Sequence, residues 1–204
     1  NGVFVSESQY LMDIIKKLEF DTVYHEHLRF YSLKSLARMF EKNGLSIVNA
    51  DIITAAGGSI RVYAKKGKHK MSNKAKNLIL AEKKAGLYDF KTYKNFAKKI
   101  LEARQDLLSL LLKLKKSGAR IVGLTSSCRS NTLLRYMNIT DDILDYTGEK
   151  RSSPKIWMFT PGTHIPVVDE EKIITDQPDY LVILSWHIGE ELMRIMRKVG
   201  YKGK

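Results

Sequence analysis

Cysteine is nearly absent from this chain: Cys128 stands alone among 204 residues. A single thiol excludes an internal disulfide and a cysteine-based zinc site, and it fits a reducing cytoplasm. Long apolar runs are missing as well, since no stretch approaches the roughly 18 residues of a membrane-spanning helix. The opening Asn1-Gly2-Val3-Phe4-Val5 is not a charged segment leading into an apolar one, so it suits a short strand and not a signal peptide. Acidic residues are scarce, with 22 Asp and Glu against 35 Lys and Arg and a formal charge of +13. Such an excess invites a nucleic-acid reading, because Lys and Arg neutralise phosphates. Most of it lies between Lys65 and Lys116, along what reads as helical surface. A solvated lysine face is therefore the expectation; neither a nucleic-acid nor a membrane partner is expected.

What is present suffices for folded domains, since 44% of the residues are apolar and the length suits one large domain or two small ones. Val3 to Val5 opens as a strand, and Tyr10 to Leu18 follows as a helix with Leu11, Ile14, Ile15 and Leu18 on one face. Ser32 stands where an N-cap belongs before Leu33, Leu36, Ala37 and Phe40, and Gly44 where a helix ends. Leu45 to Ile53 and Ser59 to Ala64 read as antiparallel strands joined by a turn at Gly57-Gly58. A Lys-, Gly-, Ser- and Asn-rich stretch from Lys65 marks a boundary. A helical connector then carries a stripe of Ile100, Leu107, Leu111 and Leu114. Three regions are thus expected: residues 1–66, a connector over 67–117, and 118–204. Within the last, strands are expected at Ala119 to Gly123, Ile143 to Tyr146 and Tyr180 to Leu184, with helices at Asn131 to Tyr136 and Gly189 to Val199. This order is that of a doubly wound α/β domain, whose ligands bind beyond the carboxyl ends of its strands.

Three segments carry chemistry. The first is Tyr24-His25-Glu26-His27. A lone His or Glu in a loop is usually solvated, but four such groups together can take, pass and return a proton near neutral pH. The second is the loop Leu124 to Ser130, which enters a helix and offers backbone N–H groups and a positive dipole end to a phosphate. Ser126, Ser127 and Thr132 add hydroxyls there, and Arg129 adds a charged fork. The third is Phe159-Thr160-Pro161-Gly162-Thr163-His164-Ile165-Pro166-Val167, whose prolines and glycine fix a rigid wall. Trp186, at a strand end, offers a stacking face or a core tryptophan.

The order of these parts resembles the sugar C-methyltransferase family, from the first residue to about Gly189. Such enzymes use S-adenosylmethionine and act on nucleotide-linked deoxysugars. The resemblance implies the end of a class I methyltransferase domain followed by a Rossmann-like α/β platform for the nucleotide sugar. It implies His27 as the base, with Glu26, Tyr24 and His25 beside the sugar. It also implies substrate contacts at Gly123, Ser126, Ser127, Arg129, Asn131, Thr132, Glu149, Pro161, Gly162, Thr163, His164 and Trp186. No metal is expected among these residues. Thr125 and Ser130 stand where relatives carry glycines, and Ala56 stands where relatives often carry a histidine. The family's zinc module and its glycine-rich S-adenosylmethionine fingerprint do not occur here, so the methyl-donor site is expected mostly outside this chain, which alone is expected to be inactive. The alternative reading is a degenerate relative that binds a nucleotide sugar without turnover; a homodimer is a possible assembly, and the cytoplasm the expected location.

Overall fold

The computed structural model describes residues 2–204. Asn1, where the first expected strand opens, lies outside the described residues, as does the side chain of Ala56 with the histidine contact expected to be missing there. The described chain forms two compact units, one of residues 1–20 and 26–99, the other of residues 21–25 and 100–204.

The first unit is a three-stranded antiparallel sheet in the order β1-β3-β2, formed by Phe4–Gln9 (β1), Leu45–Ile53 (β2) and Ser59–Lys66 (β3). Helices α1 (Leu11–Lys17) and α2 (Leu33–Lys42) precede β2, and α3 (Asn73–Lys84) follows β3. Helix α2 starts where its sequence says it should: the Ser32 hydroxyl accepts the Ser35 N–H at 3.1 Å, and the Ser35 hydroxyl reciprocates to Ser32 N. Leu33, Leu36 and Phe40 turn inward to join Ile47, Ala50, Ile60, Val62 and Ala64 in one core. The Gly57-Gly58 turn requires glycine twice over. Both residues have positive φ (90° and 149°), and a Cβ at either would strike the Glu19 or Asp13 carboxylate.

The second unit is built on a four-stranded parallel sheet in the order β6-β5-β4-β7. Its strands are Ile121–Leu124 (β4), Thr147–Glu149 (β5), Val167–Asp169 (β6) and Tyr180–Ile183 (β7). Helix α4 (Phe90–Lys116) runs up to Gly118, whose φ of 84° ends it as its sequence implies. Of its expected stripe, Ile100 and Leu111 are buried and Leu107 and Leu114 half-buried, whereas Leu101 and Leu112 are exposed. Helices α5 (Cys128–Met137), α6 (Glu171–Asp176) and α7 (Gly189–Lys198) complete the unit. With β4 first, the strand order is that of a Rossmann-like sheet, as the sequence implied, with its switch point between β4 and β7. No helix among the described residues is long and apolar enough to cross a membrane.

Two expectations need correction. Ile143 to Tyr146 does not form the second strand. Ile143 and Leu144 are buried in a turn whose N–H groups donate to the Thr140 carbonyl, both at 3.0 Å. The ladder with β4 starts at Asp145 and becomes β5 at Thr147, so an apolar turn imitated a strand. Helix α5 begins at Cys128, three residues before Asn131. A capping box of Ser127 and Ser130 starts it, and their hydroxyls hide that role inside a serine-rich loop. Strand β6, three residues long, had no sequence signal of its own.

Candidate functional site

The loops that leave β4 and β7 meet at the switch point, where an open parallel sheet ordinarily receives its ligand. Here their polar groups satisfy one another. The Thr125 hydroxyl lies 2.7 Å from that of Ser185 and 3.2 Å from that of Ser130, and Ser127 Oγ lies 2.9 Å from Ser130 Oγ. Thr125 does this with φ at 76°, a left-handed conformation that a β-branched residue adopts only under strain. The Ser126 N–H donates to Glu149 Oε2 at 2.9 Å and the Ser127 N–H to Ser130 Oγ at 3.2 Å. Lys155 completes the closure, with its ammonium on the Ser126 carbonyl and 3.7 Å from Glu149. Glu149 stands at the end of β5, with its carboxylate engaged by this loop and by the Lys150 N–H.

Arg129 turns away from solvent. Only 6% of it is exposed, and its Nε and Nη2 donate to the two oxygens of fully buried Asp21, both at 2.9 Å. This bidentate pair ties residues 21–25 to α5 and so holds Tyr24 and His25 in the second unit. His187, just after β7, is half-buried, with its Nδ1 enclosed and no protein partner. Burial, and next the Arg129 guanidinium, hold its imidazole below the ordinary value, while Asp21 opposes the shift.

Gly123 is an interior strand residue, where a Cβ would approach Thr147 Oγ1 to 2.9 Å; its role is close packing of β4. Thr163 is buried and bonded to Thr160, at 2.7 Å between hydroxyls, while Gly162 and His164 bend the loop at φ values of 70° and 55°. Trp186 begins a 3-10 turn after β7 and is half-buried. Within the tetrad, Tyr24 and His25 belong to the second unit, their rings edge-on at 6.2 Å, whereas Glu26 and His27 belong to the first. His27 is half-buried, edge-on to Phe30 at 6.2 Å.

What the second unit does bring together is an open groove of about 800 Å³ along α5. Five of its walls were expected as site residues: Tyr24, His25, Asn131, Thr132 and Pro161. Four were not: Arg104, Cys128, Arg135 and Tyr136. On α5 the spacing of residues 128, 131, 132, 135 and 136 is one helical face, set between the buried Leu133, Leu134 and Met137. Arg135 stands one turn beyond Asn131 and Thr132, inside the helix expected from Asn131 to Tyr136, and that spacing is the signal that was passed over. Arg104 lies on the inward stripe of α4, between Ile100 and Leu107, and a cation interrupting an apolar stripe is the signal that was passed over. The Arg104 guanidinium lies 5.7 Å from the centre of the Tyr136 ring, and Arg135 Nη1 donates to the Gly162 carbonyl at 2.8 Å. Among the described residues no cluster of three His, Cys, Asp or Glu side chains could hold a metal ion.

The parallel sheet and the helices that flank it make the second unit a Rossmann-like α/β fold. The family model described as the C-methyltransferase C-terminal domain matches residues 54–204, and the chain belongs to that family. The chain is also 27% identical over 195 residues to the C-methyltransferase NovU of Streptomyces niveus, across 95% of this chain and 46% of that protein. It therefore spans just under half the length of that relative.

Proposed function

We propose that this chain is the carboxyl-terminal portion of an S-adenosylmethionine-dependent C-methyltransferase acting on a nucleotide-linked deoxysugar, with the second unit as platform for the nucleotide sugar. The observation that carries this reading is the α5 groove, which holds Tyr24 and His25 of the tetrad beside Asn131, Thr132 and Pro161. Family membership and likeness to a C-methyltransferase support it.

The first unit does not fit the methyl donor. Among its described residues the sheet is wholly antiparallel, without the parallel strand end and glycine-rich loop opening a helix that an adenosyl group would need. No step through S-adenosylmethionine is assigned to these residues. What the tetrad supplies is the proton chemistry. His27 takes the proton from the carbon next to the sugar carbonyl, as a general base. Glu26 and Tyr24 hold the sugar hydroxyls and the developing enolate oxygen, and His25 stands beside them.

Calorimetric titration of the chain with thymidine, uridine and guanosine diphosphate sugars tests the platform, with S-adenosylmethionine as control. Saturable binding of one carrier and none of the methyl donor is expected; no binding of any carrier overturns the platform. Loss of the sugar α-proton to deuterated solvent, abolished by His27→Ala, tests the base. A second reading, a binding module without turnover, is favoured by one observation: the switch-point loop closes on itself through the Thr125 hydroxyl. Carrier binding without isotope exchange would select it.

A further inference from the structure

The switch-point loop, where a phosphate would ordinarily sit, has few donors left to give. The N–H groups of Thr125, Ser126, Ser127 and Ser130 go to Gly148 O, Glu149, Ser130 Oγ and Ser127 Oγ. Arg129 carries Asp21 on its fork. A diphosphate entering this loop would have to displace Glu149 from Ser126 against like charge, and would meet Lys155 already paired with that carboxylate. The loop is closed by its own residues.

The groove along α5 shows the opposite condition. Arg104 and Arg135 face it from two different helices, and among the described residues neither has a carboxylate within salt-bridge distance, although Asp and Glu pair with Lys or Arg at many other points of the unit. Each guanidinium is held in place by a neutral neighbour, Arg104 by the Tyr136 ring and Arg135 by the Gly162 carbonyl. Two oriented, uncompensated forks lining one cavity repel each other and favour a polyanion between them. Asn131 adds a buried Oδ1 with no partner on the same wall, an acceptor for a hydroxyl of the same ligand.

We infer that the anionic handle of this platform is the Arg104–Arg135 groove, which takes the diphosphate of the nucleotide sugar, and not the loop between β4 and α5. The diphosphate lies along the exposed face of α5, between the two guanidinium groups and beside Tyr24, and Asn131 Oδ1 accepts from a sugar hydroxyl. The identity of the ligand rests on the nucleotide-sugar reading above; the anion site does not.

Inorganic pyrophosphate is the direct probe, titrated into the whole chain while two-dimensional proton–nitrogen spectra follow backbone N–H and arginine Nε–H signals. The arginine signals of Arg104 and Arg135 shift and those of Ser126 and Ser127 hold still. Arg104→Gln, which breaks no backbone contact, weakens pyrophosphate binding about tenfold or more, and the double change with Arg135→Gln abolishes it, as expected for charge-assisted pairs. Arg135→Lys keeps the charge without the fork and falls between. Shifts confined to the loop amides, or equal affinity in the glutamine variants, overturn the proposal. The same variants titrated with nucleoside diphosphate sugars separate the two readings. A groove that binds pyrophosphate but gains nothing from any nucleotide sugar keeps the anion site and removes the platform. Tight sugar-nucleotide binding untouched by the arginine changes keeps the platform and removes the groove.

Discussion

Two polar clusters in this molecule have been given opposite tasks. In the first unit Glu82 is fully buried, yet its carboxylate is met from every side. It accepts from Tyr10 Oη at 2.9 Å, from the N–H groups of Leu33 and Lys34 at 2.6 and 3.3 Å, and from Tyr88 Oη. Two of these donors are first-turn N–H groups of α2, so a side chain of α3 caps the helix it packs against and adds a negative charge to the positive dipole end. In the second unit the α5 groove holds two arginines without a carboxylate partner and an amide oxygen without a donor among the described residues. A cluster closed from within serves the fold, and one left open serves something that arrives from outside. The Asp21–Arg129 pair belongs with Glu82 by this criterion, although it stands at the edge of the open site.

The largest effect expected from this contrast is at Glu82. Replacing it with Ala strands the buried Leu33 N–H, the part-buried Lys34 N–H and two phenols, a loss of about 4 kcal/mol in chemical denaturation, since each hydrogen bond to a charged group is worth roughly 1.5–3 kcal/mol and their losses are not additive. Pyrophosphate binding by the fraction that remains folded should not change. Tyr10→Phe removes one donor only and should cost about 1 kcal/mol. If Glu82→Ala were as stable as the parent, burial would not imply structural duty here, and the contrast with the groove would fail.

Asp21 and Arg129 come next. Asp21→Asn takes the charge from the group that both Nε and Nη2 of the buried Arg129 donate to, which is expected to cost about 3 kcal/mol, and to release the segment that carries Tyr24 and His25. Arg129→Ala should therefore weaken ligand binding through unfolding of this corner. Denaturation midpoints would fall in step with affinity, whereas Arg104→Gln should lower affinity at unchanged midpoint. The reverse pattern, lost affinity in Arg129→Ala with full stability, would return Arg129 to direct contact with the ligand.

Much of this was legible in sequence where a local rule and the global fold agree. Ser32 as cap, Gly44 and Gly118 as helix stops, and the Gly57-Gly58 hairpin all follow from backbone geometry that few residues can supply. The Tyr24–His27 segment was found because its composition is improbable. Illegible were the features fixed by distant partners. Nothing near Glu82 announces that a lysine-rich helix will bury a carboxylate 49 residues from the N–H it caps. Arg129 looks the same in sequence whether it points to solvent or to Asp21, 108 positions away. Arg104 and Arg135 meet one groove only because α4 and α5 flank it. In the β4–α5 loop the serines have the composition of phosphate ligands, and nothing in the sequence tells that they also cap each other.

A smaller effect is expected on acidification. His187 has its folded-state imidazole held below its unfolded value by burial and then by Arg129, against the opposing charge of Asp21. The unfolded chain thus binds the proton more readily. Stability from this residue is fully present above the unfolded value, about 6.5, and is lost as pH falls from there through the folded value. Urea midpoints measured between pH 7 and 5 should decline for the parent and decline less for His187→Gln. Equal slopes would mean that the enclosed Nδ1 gains a partner when it charges.

The smallest expected effect tests whether the closed loop is closed at a cost. Thr125 holds φ at 76°, and strain of this kind in a non-glycine residue is worth about 1–3 kcal/mol. Thr125→Gly relieves that strain but gives up the hydroxyl contacts to Ser185 and Ser130, each worth about 1 kcal/mol, and it loosens the unfolded chain by roughly another 0.5–1 kcal/mol. The terms nearly cancel, so stability should change by less than about 1 kcal/mol. Binding is the sharper readout. A glycine there leaves Ser126 on Glu149 and Ser127 on Ser130, so pyrophosphate affinity should stay as it was, still governed by Arg104. Should the glycine instead raise affinity and make it indifferent to Arg104→Gln, the loop would have been held shut by one threonine, and the difference between the two clusters would come down to a single side chain.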